Sequence, residues 1–321
     1  MQLSIIVCGK NDDYCGDFLG RLKKHIASLH IALHGIDWEY ILVDYNPPPN
    51  KPLLSSYFNN DERVRSVIVS QREHQSLLSR HLSMGARYLY SDREVEEEEL
   101  RQFGFFGQYG FYVGLHYAQG EYILSTNSDD LFPVGLSDWI PDLKPNIIYR
   151  AWRRNVGESD VDAQMQHILA GQDFTSSSWM RSLDKKTKSL WKAQGNFVLI
   201  DRQSWFDIGG YLPIPHPRLT ENDGQAVFFG LVLGKSLFCL PYHFINIHIP
   251  APTYLGVTRK LNYCLPGIDY DHFKERECNE WKQFKKAVKA KNVFSDDFLK
   301  INISSYRKRF EYLKHSFQAL A

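Results

Sequence analysis

Hydrophobic and polar positions along the first 130 residues fall into short apolar runs separated by a longer stretch of helical periodicity. Leu3 to Cys8 is a continuous apolar run, Asp17 to His34 repeats its apolar residues at helical spacing, and Glu39 to Asp44 and Val64 to Val69 are again short and apolar. Runs of this length without strict alternation fit strands buried on both faces, and the order strand, helix, strand, strand predicts a mostly parallel sheet covered by helices. The spacing predicts a long helical region between Gln71 and Gln119, broken by the acidic run Asp92 to Glu99 and by Gly104, Gly107 and Gly110. That acidic run reads as a solvated helix face.

Gly120 to Thr126 is a further strand, and it ends abruptly in Asn127, Ser128, Asp129 and Asp130. Asn146 to Trp152 reads as the next strand, and the polar stretch from about Val156 to Lys188 as loop with a short helix. Apolar character returns at Gly195 to Ile200, a short helix leads to Gly209 and Gly210, and Thr220 to Gly224 precedes a helix from Gln225 to Leu233. Paired glycines after a helix permit a left-handed cap and a tight reversal. From Asp271 onward the chain has helical spacing, with Trp281, Phe284 and Val288 on one stripe and Tyr306, Phe310, Leu313 and Phe317 on another, the pattern of helices packed against a main body.

Composition narrows the class. A chain of 321 residues with 38 basic and 37 acidic side chains can bury a full core and carries no net field to draw in nucleic acid. Five scattered cysteines without CxxC spacing indicate neither a disulfide framework nor a zinc ribbon. The first strand starts too early for a signal segment and no apolar run reaches the roughly 20 residues of a membrane span, so the expected location is the cytoplasm. Attachment to a membrane surface or self-association would fall to the C-terminal helices. Phosphate-cradling GxxxxGK[ST], GxGxxG after a strand, HExxH and GxSxG are all absent, which removes the commonest kinase, dehydrogenase, zinc-protease and serine-hydrolase chemistries.

In open α/β sheets ligands bind beyond the carboxyl ends of the strands. Asp44 closes one strand and Asp129 with Asp130 follows another, so a parallel sheet would bring three carboxylates to one edge. Oxygen ligands suit Mg²⁺ or Mn²⁺, and such an ion bridging a diphosphate offsets the charge of a departing leaving group. The same residues also favour turns and helix caps through side-chain to backbone hydrogen bonds. His25, His30 and His34 on the first helix lack a Glu or Cys to complete a metal site and read as surface residues. Trp152, Trp179, Trp191 and Trp205 suit sugar stacking and core packing equally.

The stretch Gly114 to Phe132 resembles the helix, strand and DxD-type loop of family-2 glycosyltransferases. Ser4 to Asn11 resembles that family's first strand and nucleotide loop, Tyr40 to Asp44 its second strand, and Gly195 to Tyr211 with Glu221 to Asp223 its acceptor segment. The resemblance covers roughly residues 1 to 250. It implies a GT-A fold, a Rossmann-like mostly parallel sheet flanked by helices, here with a helical C-terminal extension. Residues 1–150 would bind the nucleotide-sugar, 151–260 the acceptor, and 261–321 would form the extension. By position the resemblance places Gly9, Lys10, Asn11, Asp44, Asn127, Asp129 and Asp130 at a nucleotide-sugar, Asp129 and His248 at a divalent metal (Mn²⁺ or Mg²⁺), and Asp223, or Glu221 if the loop is shifted, as general base. Arg153, just beyond the strand Asn146 to Trp152, reads equally as a phosphate contact of the nucleotide-sugar or as a solvated strand end. The implied reaction moves a sugar from a nucleoside-diphosphate donor, UDP by default, to a saccharide or other hydroxyl acceptor with inversion. The sequence departs from the family at Asn127, where Asp is usual, and at Phe111 and Tyr112. Two alternatives stay open: a nucleotidyltransferase, and a carbohydrate-binding or scaffold protein with a degenerate transferase site.

Overall fold

The computed structural model describes residues 1–12, 16–83, 87–90, 93–94, 96–98, 101, 105, 107–171, 197–211, 226, 227, 230 and 233–248, with the backbone of 261–264. Strand β1 (Leu3–Gly9) pairs in parallel with β2 (Trp38–Tyr45) on one side and with β6 (Tyr122–Ser125) on the other, and β3 (Val64–Val69) extends the sheet beyond β2, also in parallel. Beyond β6, the antiparallel β9 (Val198–Asp201) joins it to β8 (Ile147–Gly157), which pairs in parallel with β10 (Ser236–His248). The short β7 (Asp130–Leu131) closes the edge antiparallel to β10. The order is therefore β3-β2-β1-β6-β9-β8-β10-β7. Because β6 and β8 are both antiparallel to β9, they run the same way, and all strands except β9 and β7 share one direction. This single sheet takes strands from both sides of residue 150.

Helix α1 (Phe18–Ala32) starts where Asp17 accepts a hydrogen bond from the Gly20 amide at 2.9 Å. Its Phe18, Leu22, Ile26 and Leu29 pack on one sheet face against Leu3, Ile5, Val7, Tyr40 and Leu42. The opposite face carries Ile6, Ile41, Val43 and Ile123 under α3 (Gly107–Tyr117), α5 (Arg202–Asp207) and the helical residues Ala226 and Val227. Alternation along β1 and β2 divides the two layers, as the period of a strand requires. Gly110 and Gly114 let α3 lie directly on β1 and β2, since a Cβ would strike Cys8 at the first and Ile6 and Val43 at the second.

Two local expectations change. The helical region between Gln71 and Gln119 is instead α2 (Gln71–Ser83), a hairpin of β4 (Arg87–Tyr90) and β5 (Arg93–Glu94), then α3. The alternating aromatics Tyr88 and Tyr90 favour a pleated strand over a helix, and β11 (Leu261–Cys264) pairs with β4 to complete a second small sheet. The strand expected at Asn146 to Trp152 continues to Gly157, because β10 offers it a parallel partner across Arg153, Arg154 and Asn155, and α4 (Val161–Leu169) follows. The helical stripes expected after Asp271 lie outside the described residues. No helix among the described residues is long and apolar enough to cross a membrane.

Candidate active site

The carboxyl ends of β1, β2 and β6 build one edge. Gly9, at the end of β1, is in register with Asp44 on β2, and Ile6 is in register with Ser125 on β6. With neighbouring strands 4.7–4.9 Å apart, the ends of β2 and β6 stand roughly 10 Å apart on either side of β1. A Cβ at position 9 would run into the Phe18 ring, so this strand end needs glycine for the approach of α1. Lys10 and Asn11 follow and are buried, and Asn11 donates its side-chain amide to the Pro52 carbonyl at 3.0 Å, tying the loop after β1 to the segment after β2. Burial pulls the Lys10 ammonium below its ordinary range, and Asp12 opposes that shift.

Asp44 is fully buried. Its Oδ2 accepts the Leu54 amide at 2.8 Å, while Oδ1 is enclosed without a hydrogen-bond partner. Burial raises this carboxyl to about 6, against the pull of the Leu54 hydrogen bond. A half-satisfied buried carboxyl at a strand end is costly to stability and is the sort of group a ligand donor could complete.

The loop after β6 separates two adjacent carboxyls. Asp130 turns inward, with no exposure: Oδ2 accepts the Thr126 hydroxyl at 2.8 Å and the Asn127 amide at 3.2 Å, and Oδ1 accepts the Asn246 side chain at 2.8 Å. Burial nevertheless pushes it up to about 7, the hydrogen bonds pulling the other way. Both oxygens are engaged inside the protein, so Asp130 here shapes the loop. Asp129 turns outward. Its Oδ1 receives Arg21 Nε at 3.1 Å and the Ser128 hydroxyl at 3.4 Å, and its side chain keeps 31% exposure. Burial raises the Asp129 carboxyl and Arg21 draws it back down.

Strand β10 reaches the same loop from the far side. Asn246 pairs with Asp130 in the β7 to β10 ladder, and the Ile247 amide donates to the Asp129 carbonyl at 2.8 Å. The backbone of His248, next along β10, is thereby brought beside Asp129 although more than a hundred residues separate them; the His248 side chain lies outside the described residues. Arg153 lies on β8 in register with Phe244 and is half-buried. Glu221 and Asp223 lie outside the described residues, as do Trp179 and Trp191. Trp205 is a core residue, fully buried and donating to the Ile123 carbonyl at 3.0 Å, and Trp152 stacks on His243.

Donors for a divalent ion can be weighed directly. Among the described residues no three His, Cys, Asp or Glu side chains cluster as a cage. Mg²⁺ and its relatives commonly take one or two carboxylates, several waters and the oxygens of a bound phosphate. Asp129, whose Oδ2 has no hydrogen-bond partner among the described residues, fits that mode.

Helix α1 supplies residues that sequence patterning missed. His25, expected on the surface, is fully buried and its Nδ1 donates to the Asp130 carbonyl; burial lowers it to about 4, so the ring is neutral with its proton on Nδ1. Ser28 Oγ accepts the Phe132 amide at 3.0 Å. Arg21, His25 and Ser28 thus grip Asp129, Asp130 and Phe132 in turn. The available signal was polar residues at helical spacing interleaved with the apolar stripe Phe18, Leu22, Ile26 and Leu29.

No protein-family model and no curated protein sequence matches the chain. Among solved structures it is similar to GalNAc-T7 with UDP, GalNAc and Mn²⁺ (13% identity, TM-score 0.46, covering 98% of this chain and 55% of that one). It is also similar to the mannosyltransferase PcManGT of Pyrobaculum calidifontis in complex with GDP-Man and Mn²⁺ (11%, 0.47, 99% and 73%) and to S. aureus TarS 1-349 (11%, 0.39, 77% and 60%). The chain spans about half the length of the GalNAc-T7 structure. The α/β assignment rests on the strand order and register described above.

Proposed function

We propose that the chain is a GT-A glycosyltransferase that transfers a sugar from a nucleoside-diphosphate donor, UDP by default, to an acceptor hydroxyl with inversion, in the cytoplasm. The observation that carries this is the shared edge: Asp44 in register with Gly9 on one side of β1, and on the other side the outward Asp129 held next to the backbone of His248. A nucleoside diphosphate laid across the end of β1 would set its base or ribose by Asp44 and its phosphates by Gly9, Lys10, Asn11 and Asn127, with Arg153 as a cation for the phosphates. Asp129, with His248, would hold a divalent ion, which when bound offsets the charge developing on the departing diphosphate. Residues 1–150 serve the donor and 151–260 the acceptor. Asp223, with Glu221 as the competing carboxylate, takes the proton of the acceptor hydroxyl as its oxygen bonds the anomeric carbon and the bond to the diphosphate breaks.

Incubation of the protein with a panel of nucleotide-sugars, Mn²⁺ and saccharide acceptors, followed by ³¹P NMR, tests this. Release of a nucleoside diphosphate is the expected result, with Asp223→Asn retaining donor binding and losing release. Pyrophosphate as the product would replace the proposal with nucleotidyl transfer, and absence of any metal-linked nucleotide binding would replace it with a degenerate site.

A further inference from the structure

The Arg21 side chain is 6% exposed and points its Nε at Asp129 Oδ1, 3.1 Å away. It belongs to a stripe: Arg21, His25 and Ser28 lie on one face of α1 and hold Asp129, the Asp130 carbonyl and the Phe132 amide. A guanidinium this buried stays where its countercharge is, since leaving it unpaired is costly. The outward carboxylate of the loop therefore already has a cation.

We infer that Arg21 is the resident cation of this site, occupying Asp129 in the empty protein so that a divalent ion binds only together with a diphosphate. This rests on the donor-site role proposed above for Asp129. An ion on Oδ2 would sit within a few ångströms of the guanidinium, and like charges repel strongly in a partly desolvated site. A diphosphate adds negative charge and reverses that balance, so nucleotide and metal each raise the other's affinity.

The full chain is titrated with Mn²⁺, with and without UDP, and the free-ion EPR signal is followed. Wild type takes up Mn²⁺ only with UDP present. In Arg21→Met, and in Arg21→Gln, which keeps a neutral donor to Oδ1 and guards against misfolding of the first, affinity for Mn²⁺ without nucleotide rises by about tenfold or more and the gain from UDP shrinks by the same factor. Arg21→Lys, with its charge kept, behaves as wild type. A purely structural Arg21 would give variants that bind less Mn²⁺ in both conditions; that result, or unchanged nucleotide-free affinity, overturns the inference while metal-linked UDP binding by wild type leaves the donor-site proposal standing. If wild type takes up no Mn²⁺ even with UDP, the donor-site proposal fails first and the inference falls with it.

Discussion

The ends of β2 and β6 treat their acidic residues in opposite ways. At the end of β2 a single carboxyl, Asp44, is enclosed with one oxygen bonded and the other unpartnered. At the end of β6 two carboxyls divide the work: Asp130 is buried with both oxygens engaged, and Asp129 is left at the surface against Arg21. A loop can present one carboxylate outward only if something inside fixes its shape, and Asp130 is that internal tie. The β2 end has no second acid and keeps its unmet hydrogen bond within the site. Acidic residues at strand ends are thus separated by their neighbours into enclosed and outward-facing kinds.

Removing the internal tie should have the largest effect. Asp130→Ala leaves Thr126, Asn246 and the Asn127 amide without their acceptor, and is expected to cost about 4 kcal/mol in chemical denaturation, whereas Asp129→Asn, which keeps an acceptor for the buried Arg21 guanidinium, should change stability by less than about 1 kcal/mol. Similar losses in both would erase the distinction between them.

The unmet bond of Asp44 should appear as a pH effect. Its folded value of about 6 lies above the ordinary 3.8, so the folded protein holds this proton more tightly than the unfolded chain. Its contribution favours folding below about pH 4 and is lost as pH rises through about 6, a span of about 2 to 3 kcal/mol. Asp44→Asn should flatten that part of the stability profile measured from pH 4 to 7; an unaltered slope would mean that Asp44 ionises normally.

Smaller effects probe what holds each end. Gly110→Ala would usually stabilise a helix by up to about 1 kcal/mol, yet here the new Cβ meets Cys8 under α3, so a net loss of about 1 to 2 kcal/mol is expected by thermal unfolding. Ser28→Ala strips the Phe132 amide of its acceptor and should cost about 1 kcal/mol, seen as faster amide exchange at Phe132.

Much of the parallel half of the sheet was legible because β1, β2, β3 and β6 are short apolar runs with sharp polar ends. The β4 and β5 hairpin was hidden inside helical spacing, since two short strands with a distant partner, β11, leave little local periodicity. Polar residues at 21, 25 and 28 look like a solvated helix face until the loop they bond is folded against them. Which of Asp129 and Asp130 turns inward was not legible at all: the choice depends in part on partners far along the chain, Asn246 for Asp130, 116 positions away, and Arg21 for Asp129, 108 positions away.

Calorimetric titration of UDP with and without Mn²⁺, on wild type and Asp129→Ala, tests the shared donor site most directly. Wild type should bind UDP much more tightly with the metal, while Asp129→Ala should bind it with one weak affinity that Mn²⁺ does not change. An Asp129→Ala protein that keeps the full metal enhancement would contradict the assignment of the β6 loop to the donor.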